Sequence, residues 1–491
     1  MRSISHTITD DSVLGKDFYI QGTFALAFFC IIILAYIFTG GLTMPFFLAI
    51  ALCALIFFLP SYEYLGLICI IGLTMFFEKL FTLQPLIIGD NAYKLYPIDA
   101  LMAVVFLAII IKLLIHKKFK FNWPEIFLGI FFLIVCANML RGTMDLNAQF
   151  ATAFSSFKNY FWYPLIYFVV IYAVDSREKF KNFIKIFLLF SIGLIGFIVY
   201  GIATGQGLWT EFTPLSTEGT RILAFTHAFY LSVAILIALG LLIAKKLNNI
   251  LFSLALMWIW LIGIVGSMMR HLWVALIIAV GALFIISPKQ EKGYFSKIFA
   301  KNIVIIITLI LLALLLANLM PASESSGSFV NIVDSTKNRV VSFLTASDDT
   351  SVSWRMDLWR DALHKWETNP FFGIGFGKQL SLETFDWQTF EDVKNIHNSP
   401  LAILVQTGIV GFVSLGLFIL AVLFASYKHI VKDKDLRPYY AGIFAAIILF
   451  LLSSFFQPYL EANFTSIFLW MLLGLLGTSK FITNKNENSS N

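Results

Sequence analysis

Long apolar segments, separated by short polar ones, run along this sequence from residue 22 to residue 479. A helix that crosses a bilayer needs about 20 mostly apolar residues. By that criterion the sequence predicts fourteen spanning helices, at 22–39, 43–60, 65–81, 98–115, 125–140, 159–174, 183–203, 224–244, 250–267, 271–287, 302–320, 400–426, 438–456 and 463–479. Only a short turn separates the two around Met268, so these could also form one broken, re-entrant element. The predicted fold class is therefore an all-α polytopic membrane protein.

The spans divide the chain into five regions. We predict a cytosolic tail at 1–21 and a transmembrane domain of about eleven helices at 22–320. A large outer-face loop follows at 321–399, then three C-terminal transmembrane helices at 400–479 and a second cytosolic tail at 480–491.

The large loop has two parts with different patterns. The first, 321–350, is rich in Ser and Asp and is predicted to be irregular. The second, SWRMDLWRDALHKWETNP, carries apolar residues at helical spacing, namely Trp354, Leu358, Ala362, Leu363 and Trp366. This pattern predicts an amphipathic helix on the outer membrane surface with its Trp residues at the interface, ended by Asn369 and Pro370.

Composition excludes a soluble protein. Hydrophobic residues make up 59% of the chain and charged residues 13%, against about 45–50% and about 25% in soluble domains. All four cysteines lie inside apolar segments, so neither a disulfide framework nor a zinc site is expected: Cys30, Cys53, Cys69 and Cys136.

Charge predicts the orientation. We assign to the cytosol both termini and the segments 115–124, 175–182, 245–249, 288–301 and 427–437. These regions hold 20 of the 35 Lys and Arg residues, whereas the short outer loops hold six. Cytoplasmic loops carry an excess of Lys and Arg, and long loops are poor guides to topology. We therefore expect both termini in the cytosol.

Three ionisable residues stand at predicted outer ends of helices: Arg221, Arg270 and His397. An arginine at membrane depth is costly unless it meets an anion, and its planar fork of donors matches phosphate oxygens. Ser399 and Pro400 are typical of an N-cap and first helical residue, which would place His397 at a dipole-positive helix mouth. The simpler interpretation is that each arginine is an interfacial anchor and that the histidine is merely solvated.

Two further motifs do not indicate a site. GIGFG, from Gly373 to Gly377, follows a helix and lacks the strand–turn–helix context of a nucleotide loop. Its glycines are expected to permit a tight turn. Asp348 and Asp349 have no obvious further ligands around them, so no metal site is predicted.

The segment RMDLWRDALHKWETNPFFGIGFG, followed after a gap by HNSPLAILVQTGIVGF, resembles the signature of the O-antigen ligase and polymerase superfamily. TRILAFTHAFYLSVAIL and GSMMRHLWVALIIAV resemble the two arginine-bearing segments of that family. The resemblance runs from Arg221 to the C-terminus. His227 stands where the family pattern has proline-asparagine, and Met-Met-Arg replaces the commoner Ser-Arg.

This resemblance implies an inverting glycosyltransferase of the GT-C type that needs no metal and no cofactor. Its active site would lie on the outer face of the bacterial cytoplasmic membrane. It would transfer a glycan from a polyprenyl diphosphate, typically undecaprenyl diphosphate, to an acceptor hydroxyl during surface polysaccharide assembly. The implied roles are diphosphate binding for Arg221 and Arg270, general base for His397, and substrate contact for Arg355, Asn398 and His227.

The acceptor stays open at this stage. A polymerase would use another lipid-linked glycan, a ligase a lipid A-core sugar, and an oligosaccharyltransferase a protein. Fourteen spans slightly favour the polymerase. A lipid-glycan flippase is the alternative of another class, but transporters need polar groups near the midplane, where these spans are nearly empty. The expected partners are the donor, one of these acceptors, membrane lipids and other polysaccharide-assembly proteins, with no nucleic acid.

Overall fold

The computed structural model describes residues 63–76, 86–88, 91–93, 95–116, 122–144, 148–204, 221–298, 300, 350–384, 387–480 and 482. The predicted spans 22–39, 43–60 and 302–320, the N-terminal tail, most of the C-terminal tail and the Ser/Asp-rich part of the loop lie outside these residues. The chain divides into two units, Met1–Phe119 and Lys120–Asn491.

The described part of the first unit contains two helices that pack together, α1 (Glu63–Phe76) and α2 (Pro97–His116). Between them lies a short antiparallel hairpin of β1 (Leu86–Ile88) and β2 (Asn91–Tyr93). Gly66 permits the close approach of the helices, because a Cβ there would lie 2.4 Å from Val105 Cγ2.

The second unit is mostly helical. The α-helices whose bounds lie in the described residues are, in chain order, α3 (Trp123–Met144), α4 (Phe150–Phe157), α5 (Ile166–Ala173), α6 (Arg177–Gly193), α7 (Ile195–Thr204), α8 (Phe225–Ile243), α9 (Ile250–Gly266), α10 (Arg270–Ile286), α11 (Thr350–Glu367), α12 (Ser399–Lys432), α13 (Arg437–Ser454) and α14 (Asn463–Gly477). The strands β3 (Gln379–Thr384) and β4 (Trp387–Asp392) form an antiparallel hairpin between α11 and α12. Helix α12 packs against α3 and α11, while α13 packs against α8 and α10.

In the part of the chain that the structure describes, helices occupy all or part of eleven of the fourteen predicted spans. Among the described residues, six helical stretches are long and apolar enough to cross a membrane: Pro97–Leu114, Trp123–Met144, Arg177–Ala203, Phe225–Ile243, Ser399–Lys428 and Arg437–Ser454. The all-α membrane class is thus confirmed, while the total of fourteen spans and the GT-C arrangement stay predictions. The two segments around Met268 are separate helices of 17 residues each, α9 and α10.

The predicted span 159–174 is not a uniform α-helix. Between α4 and α5 the chain forms a π-helix at Lys158–Trp162 and then a 3-10 turn at Tyr163–Leu165. Pro164 has no amide hydrogen to donate, so the regular α-helical hydrogen bonding cannot continue through it. The departure from α-helical geometry is therefore confined to Lys158–Leu165, around this proline.

Helix α12 is broken at Gly408, whose φ of 69° and ψ of −175° are not helical. Residues 370–377, which we call the glycine turn, insert into this break. Four main-chain hydrogen bonds join them: Ile374 N to Val405 O (2.9 Å), Gly375 N to Gln406 O (3.2 Å), Ile409 N to Pro370 O (2.9 Å) and Val410 N to Phe371 O (3.2 Å). Gly373, Gly375 and Gly377 supply the positive φ values that the turn needs. GIGFG is therefore a structural connection between the loop and α12.

The predicted amphipathic helix is confirmed as α11, but its apolar face is covered differently from the prediction. Leu358 and Ala362 are fully buried in a protein cluster with Val393, Ile396 and residues at the start of α12. Leu363, assigned to the same face from its spacing, is instead 40% exposed. The spacing alone could not show that the protein itself covers this stripe.

Segments that were predicted to be cytosolic meet at one end of the second unit. The connection from Asp433 to Leu436, which we call the acidic loop, gathers cations from distant helices. Arg177 pairs with Asp433 at 2.6 Å, and Asp435 pairs with Lys181 at 2.6 Å and with Lys246. These contacts place the predicted cytosolic segments 175–182, 245–249 and 427–437 together, while their side of the membrane stays a prediction.

Candidate active site

The two arginine segments predicted from the sequence are held next to each other. Arg221 precedes α8 and is largely buried, and Arg270 is the first residue of α10. The amide of Ile222 donates to the carbonyl of Gly266, at the end of α9, across 2.9 Å. A Cβ at Gly266 would lie 2.4 Å from Ile222 Cδ1, so a larger residue there would force the Ile222 side chain to shift. The short turn after Gly266 then leads directly to Arg270.

His271, which no part of the sequence analysis selected, lies at the centre of the site. Arg355, Arg221, Arg270 and His397 are all near enough to act on its imidazole electrostatically. These groups come from α11, from the segment before α8, from α10 and from the segment before α12. The structure therefore brings together three arginines and two histidines from four separate segments of the chain. The only sequence signal for His271 is its position beside Arg270 in an apolar helix.

Tyr459 contributes a second group that the sequence did not reveal. Its hydroxyl lies 3.2 Å from Nε2 of His271. Its ring is fully buried, with the rings of Phe225, Phe229 and Phe450 at centroid distances of 5.8, 5.4 and 5.6 Å. These apolar contacts fix Tyr459 and thereby fix its hydroxyl beside the histidine.

His397 is oriented by contacts on two sides. Its Nδ1 lies 3.0 Å from Oε1 of Gln457, an acceptor, so Nδ1 carries the hydrogen in the neutral ring. That tautomer leaves the lone pair on Nε2 available to accept a proton. The ring of Trp354 stands nearly perpendicular to the imidazole, at a centroid distance of 5.7 Å.

The environment of His397 favours its neutral form. Burial is the main effect and lowers its pKa, because a partly buried imidazolium is poorly solvated. The hydrogen bond with Gln457 opposes this effect, whereas the positive charge of Arg355 adds to it. The net result is a pKa below 6.5, so the imidazole is neutral around pH 7.

The start of α12 differs from the prediction by one residue. Oδ1 of Asn398 accepts a hydrogen bond from the amide of Leu401 at 3.0 Å, so Asn398 is the N-cap. The predicted cap at Ser399 is wrong, because the hydroxyl of that residue instead donates to the carboxyl of Glu461. Asn398 thus has a structural role, and its contact with substrate stays a prediction.

Glu461 is a fully buried carboxyl behind His397. It accepts hydrogen bonds from the hydroxyls of Ser399 and Tyr160, and Asn159 Nδ2 donates to its main-chain carbonyl. Burial raises the pKa of Glu461 above that of an ordinary glutamate. These bonds tie the connection between α13 and α14 to the start of α12.

The remaining predicted substrate contacts, Arg355 and His227, lie on different helices, α11 and α8. Arg355 acts electrostatically on both His271 and His397. His227 is completely buried within α8, with its ring 5.0 Å from that of Phe197. Its role as a substrate contact stays a prediction. Within the described residues, no group of three or more His, Cys, Asp and Glu side chains could hold a metal ion.

Two comparisons with known proteins bear on these residues. A curated protein of Haemophilus influenzae, described only as uncharacterized, is 24% identical over 365 residues, which cover 68% of this chain and 86% of the relative. Residues 252–416 match the family model of O-antigen ligase, and this range includes Arg270, Arg355 and His397 but not Arg221. A match to this family indicates a glycosyltransferase-type membrane enzyme. Residues 252–416 are therefore similar to the O-antigen ligase family, consistent with the resemblance of the chain to the O-antigen ligase and polymerase superfamily.

Proposed function

We propose that this protein transfers a glycan from undecaprenyl diphosphate, or a related polyprenyl diphosphate, to an acceptor hydroxyl at the outer face of the bacterial cytoplasmic membrane. The reaction inverts the anomeric centre and belongs to surface polysaccharide assembly. One observation supports the proposal above all. Arg221, Arg270 and Arg355 converge with His397 around His271 in a chain whose apolar helices are typical of a membrane enzyme.

In this proposal the arginines bind the diphosphate of the donor. Negative charge grows on the leaving diphosphate in the transition state, so fixed cations beside it lower the barrier. A guanidinium matches two phosphate oxygens at once and stays charged at any physiological pH. Arg221 lies in the segment before α8, Arg270 begins α10, and Arg355 approaches from α11. The carrier lipid would keep the diphosphate at the membrane surface, where these side chains meet.

His397 is the general base of this proposal. The acceptor oxygen attacks the anomeric carbon from the side opposite the diphosphate, and the bond from that carbon to the diphosphate oxygen breaks. The hydroxyl proton passes to Nε2 of His397, while the diphosphate leaves on its carrier. The lowered pKa of His397 supports this role, because a neutral imidazole is the form that accepts a proton.

For the acceptor, we propose a second lipid-linked glycan first and a lipid A-core sugar or a protein hydroxyl as alternatives. Glycan profiles of a deletion strain separate the three. A lipid core that carries one repeat indicates a polymerase, and a core without any glycan indicates a ligase. Normal polysaccharide together with unglycosylated secreted proteins indicates a protein oligosaccharyltransferase.

The decisive test of the chemistry is His397→Ala, with His364→Ala as the matched control. His364 lies on the same loop, and its side chain is 67% exposed beside Glu367. A general base supplies about 10²–10⁴-fold in rate. We therefore expect His397→Ala to lose at least 100-fold in turnover and His364→Ala to match the wild type.

The assay uses purified protein in nanodiscs with lipid-linked glycan extracted from the deletion strain. Expression and elution volume on size exclusion check that each variant folds. If folded His397→Ala keeps a tenth of the wild-type rate, the assignment of the base is incorrect. If the deletion strain instead accumulates lipid-linked glycan on the cytosolic leaflet, the protein is a flippase and the transfer proposal fails.

A further inference from the structure

We propose that Gln457 is a positioning residue, which holds His397 in the tautomer and orientation that direct Nε2 at the acceptor hydroxyl. This inference rests on the function proposed above and extends it to a residue outside the region matched by the O-antigen ligase family model. Its basis is the contact between His397 Nδ1 and Gln457 Oε1 at 3.0 Å, made across 60 residues of sequence.

The backbone of His397 indicates that something must hold it. Its φ is 55°, in the left-handed region that non-glycine residues rarely adopt. Such a conformation is unfavourable for a residue with a side chain and persists only where surrounding contacts determine it. The neighbours on both sides are fixed: Trp359 Nε1 donates to the carbonyl of Ile396 at 2.7 Å, and Asn398 caps α12. Gln457 fixes the side chain that these main-chain contacts leave to rotate.

Gln457 is itself part of a rigid connection. Ser399 Oγ donates a hydrogen bond to the carboxyl of Glu461 and accepts one from the amide of Leu460 at 3.1 Å. It also lies 3.4 Å from the carbonyl oxygen of Gln457. Glu461 is anchored in turn by Tyr160. The main chain that carries Gln457 is therefore bonded to the residue two positions after His397, so base and partner keep a constant separation.

An uncharged partner suits this position. The charged or titratable groups that act on His397 are Arg355 on α11 and His271 on α10. The uncharged ring of Trp354 also packs against its imidazole. A carboxylate in place of the amide would attract the imidazolium strongly and would keep the base protonated at neutral pH. An amide orients the ring with much less effect on its protonation.

The test compares Gln457→Glu and Gln457→Met in the nanodisc assay, with turnover measured from pH 4.5 to 9. A base works only when neutral, so activity falls as the pH drops below its pKa. Gln457→Glu raises the pKa of His397. The acid limb of the pH profile, which is the fall in activity at low pH, should therefore move upward by at least about one pH unit. Gln457→Met removes the hydrogen bond that raises the pKa, so its acid limb should move downward. Its turnover should also fall about 10- to 100-fold with an unchanged donor KM, because the ring loses its orientation.

Rescue completes the test. At pH values above its shifted acid limb, Gln457→Glu should recover most of the wild-type turnover. Gln457→Met should not recover it at any pH. If both variants lose activity equally and their acid limbs coincide with that of the wild type, Gln457 is a structural residue only and the inference is wrong. If that result is obtained and His397→Ala is inactive, only the inference about Gln457 is wrong. If His397→Ala is active, the assignment of His397 as the base is wrong.

Discussion

Gly408 offers a sharp test of how the outer loop is joined to α12. Replacing it with alanine has two separate costs. Its backbone conformation is one that essentially only glycine adopts, and a side chain there costs of order 1–3 kcal/mol. In addition, the new Cβ would lie 2.2 Å from the carbonyl oxygen of Phe371, whereas real Cβ contacts stay above 3.0 Å.

The second cost follows from this distance. The glycine turn must retreat by about 0.8 Å, the difference between 2.2 and 3.0 Å. The hydrogen bond from Val410 N to Phe371 O is already 3.2 Å long and would break first. A buried polar group left unsatisfied costs about 1–3 kcal/mol. Together the two effects destabilise the protein by roughly 2–6 kcal/mol, if both are fully expressed.

The matched control is Gly416→Ala, eight residues further along α12. A Cβ at Gly416 meets nothing within 4 Å, and alanine is favoured over glycine in a helix by about 1 kcal/mol. Thermal unfolding in detergent, followed by size exclusion, should show a clear fall in melting temperature for Gly408→Ala and none for Gly416→Ala. Because α11 precedes the glycine turn, Gly408→Ala should also lower turnover. Equal melting temperatures for the two variants would refute the proposed role of the turn.

Two further predictions concern the arginines. Arg355→Ala should reduce turnover at least tenfold, because Arg355 acts electrostatically on both His271 and His397. Arg360→Ala should have little effect, because Arg360 is exposed beside Asp357. The same nanodisc assay measures both, and equal losses would contradict the difference. Arg221→Lys and Arg270→Lys should each be severely impaired, because a lysine cannot make the two-pronged phosphate contact. Donor KM and turnover in the same assay test this, and a near-normal lysine variant would reduce that arginine to an interfacial anchor.

The sequence predicts the helices well because each is a long apolar segment, and such segments are a local property. It could not predict the break in α12. Gly408 looks like any glycine in an apolar helix, and the hydrogen bonds that stabilise its conformation come from residues 370–375. The uniform helix predicted for 400–426 is therefore interrupted for a reason that lies outside that segment.

The candidate site divides in the same way. Arg221, Arg270 and His397 could be selected because each is an ionisable residue next to an apolar helix, in a pattern that resembles a known family. Gln457 and Tyr459 carry no such signal. They belong to a short polar connection, and their importance depends on contacts with residues 60 and 188 positions away in the chain. Only the folded chain shows these partners.

The acidic loop has a consequence for the order in which the protein is made. In the proposed topology, Arg177, Lys181 and Lys246 are among the cations that keep their segments in the cytosol during insertion. Their partners Asp433 and Asp435 emerge from the ribosome much later. Burial disfavours the charged carboxylate of Asp435 and so raises its pKa. Lys181 and Lys246 outweigh this effect and lower the pKa of Asp435 to about 2. The same cations can therefore act first as unpaired topology signals in the nascent chain and later, once Asp435 is synthesised, as ionic partners that join the finished helices.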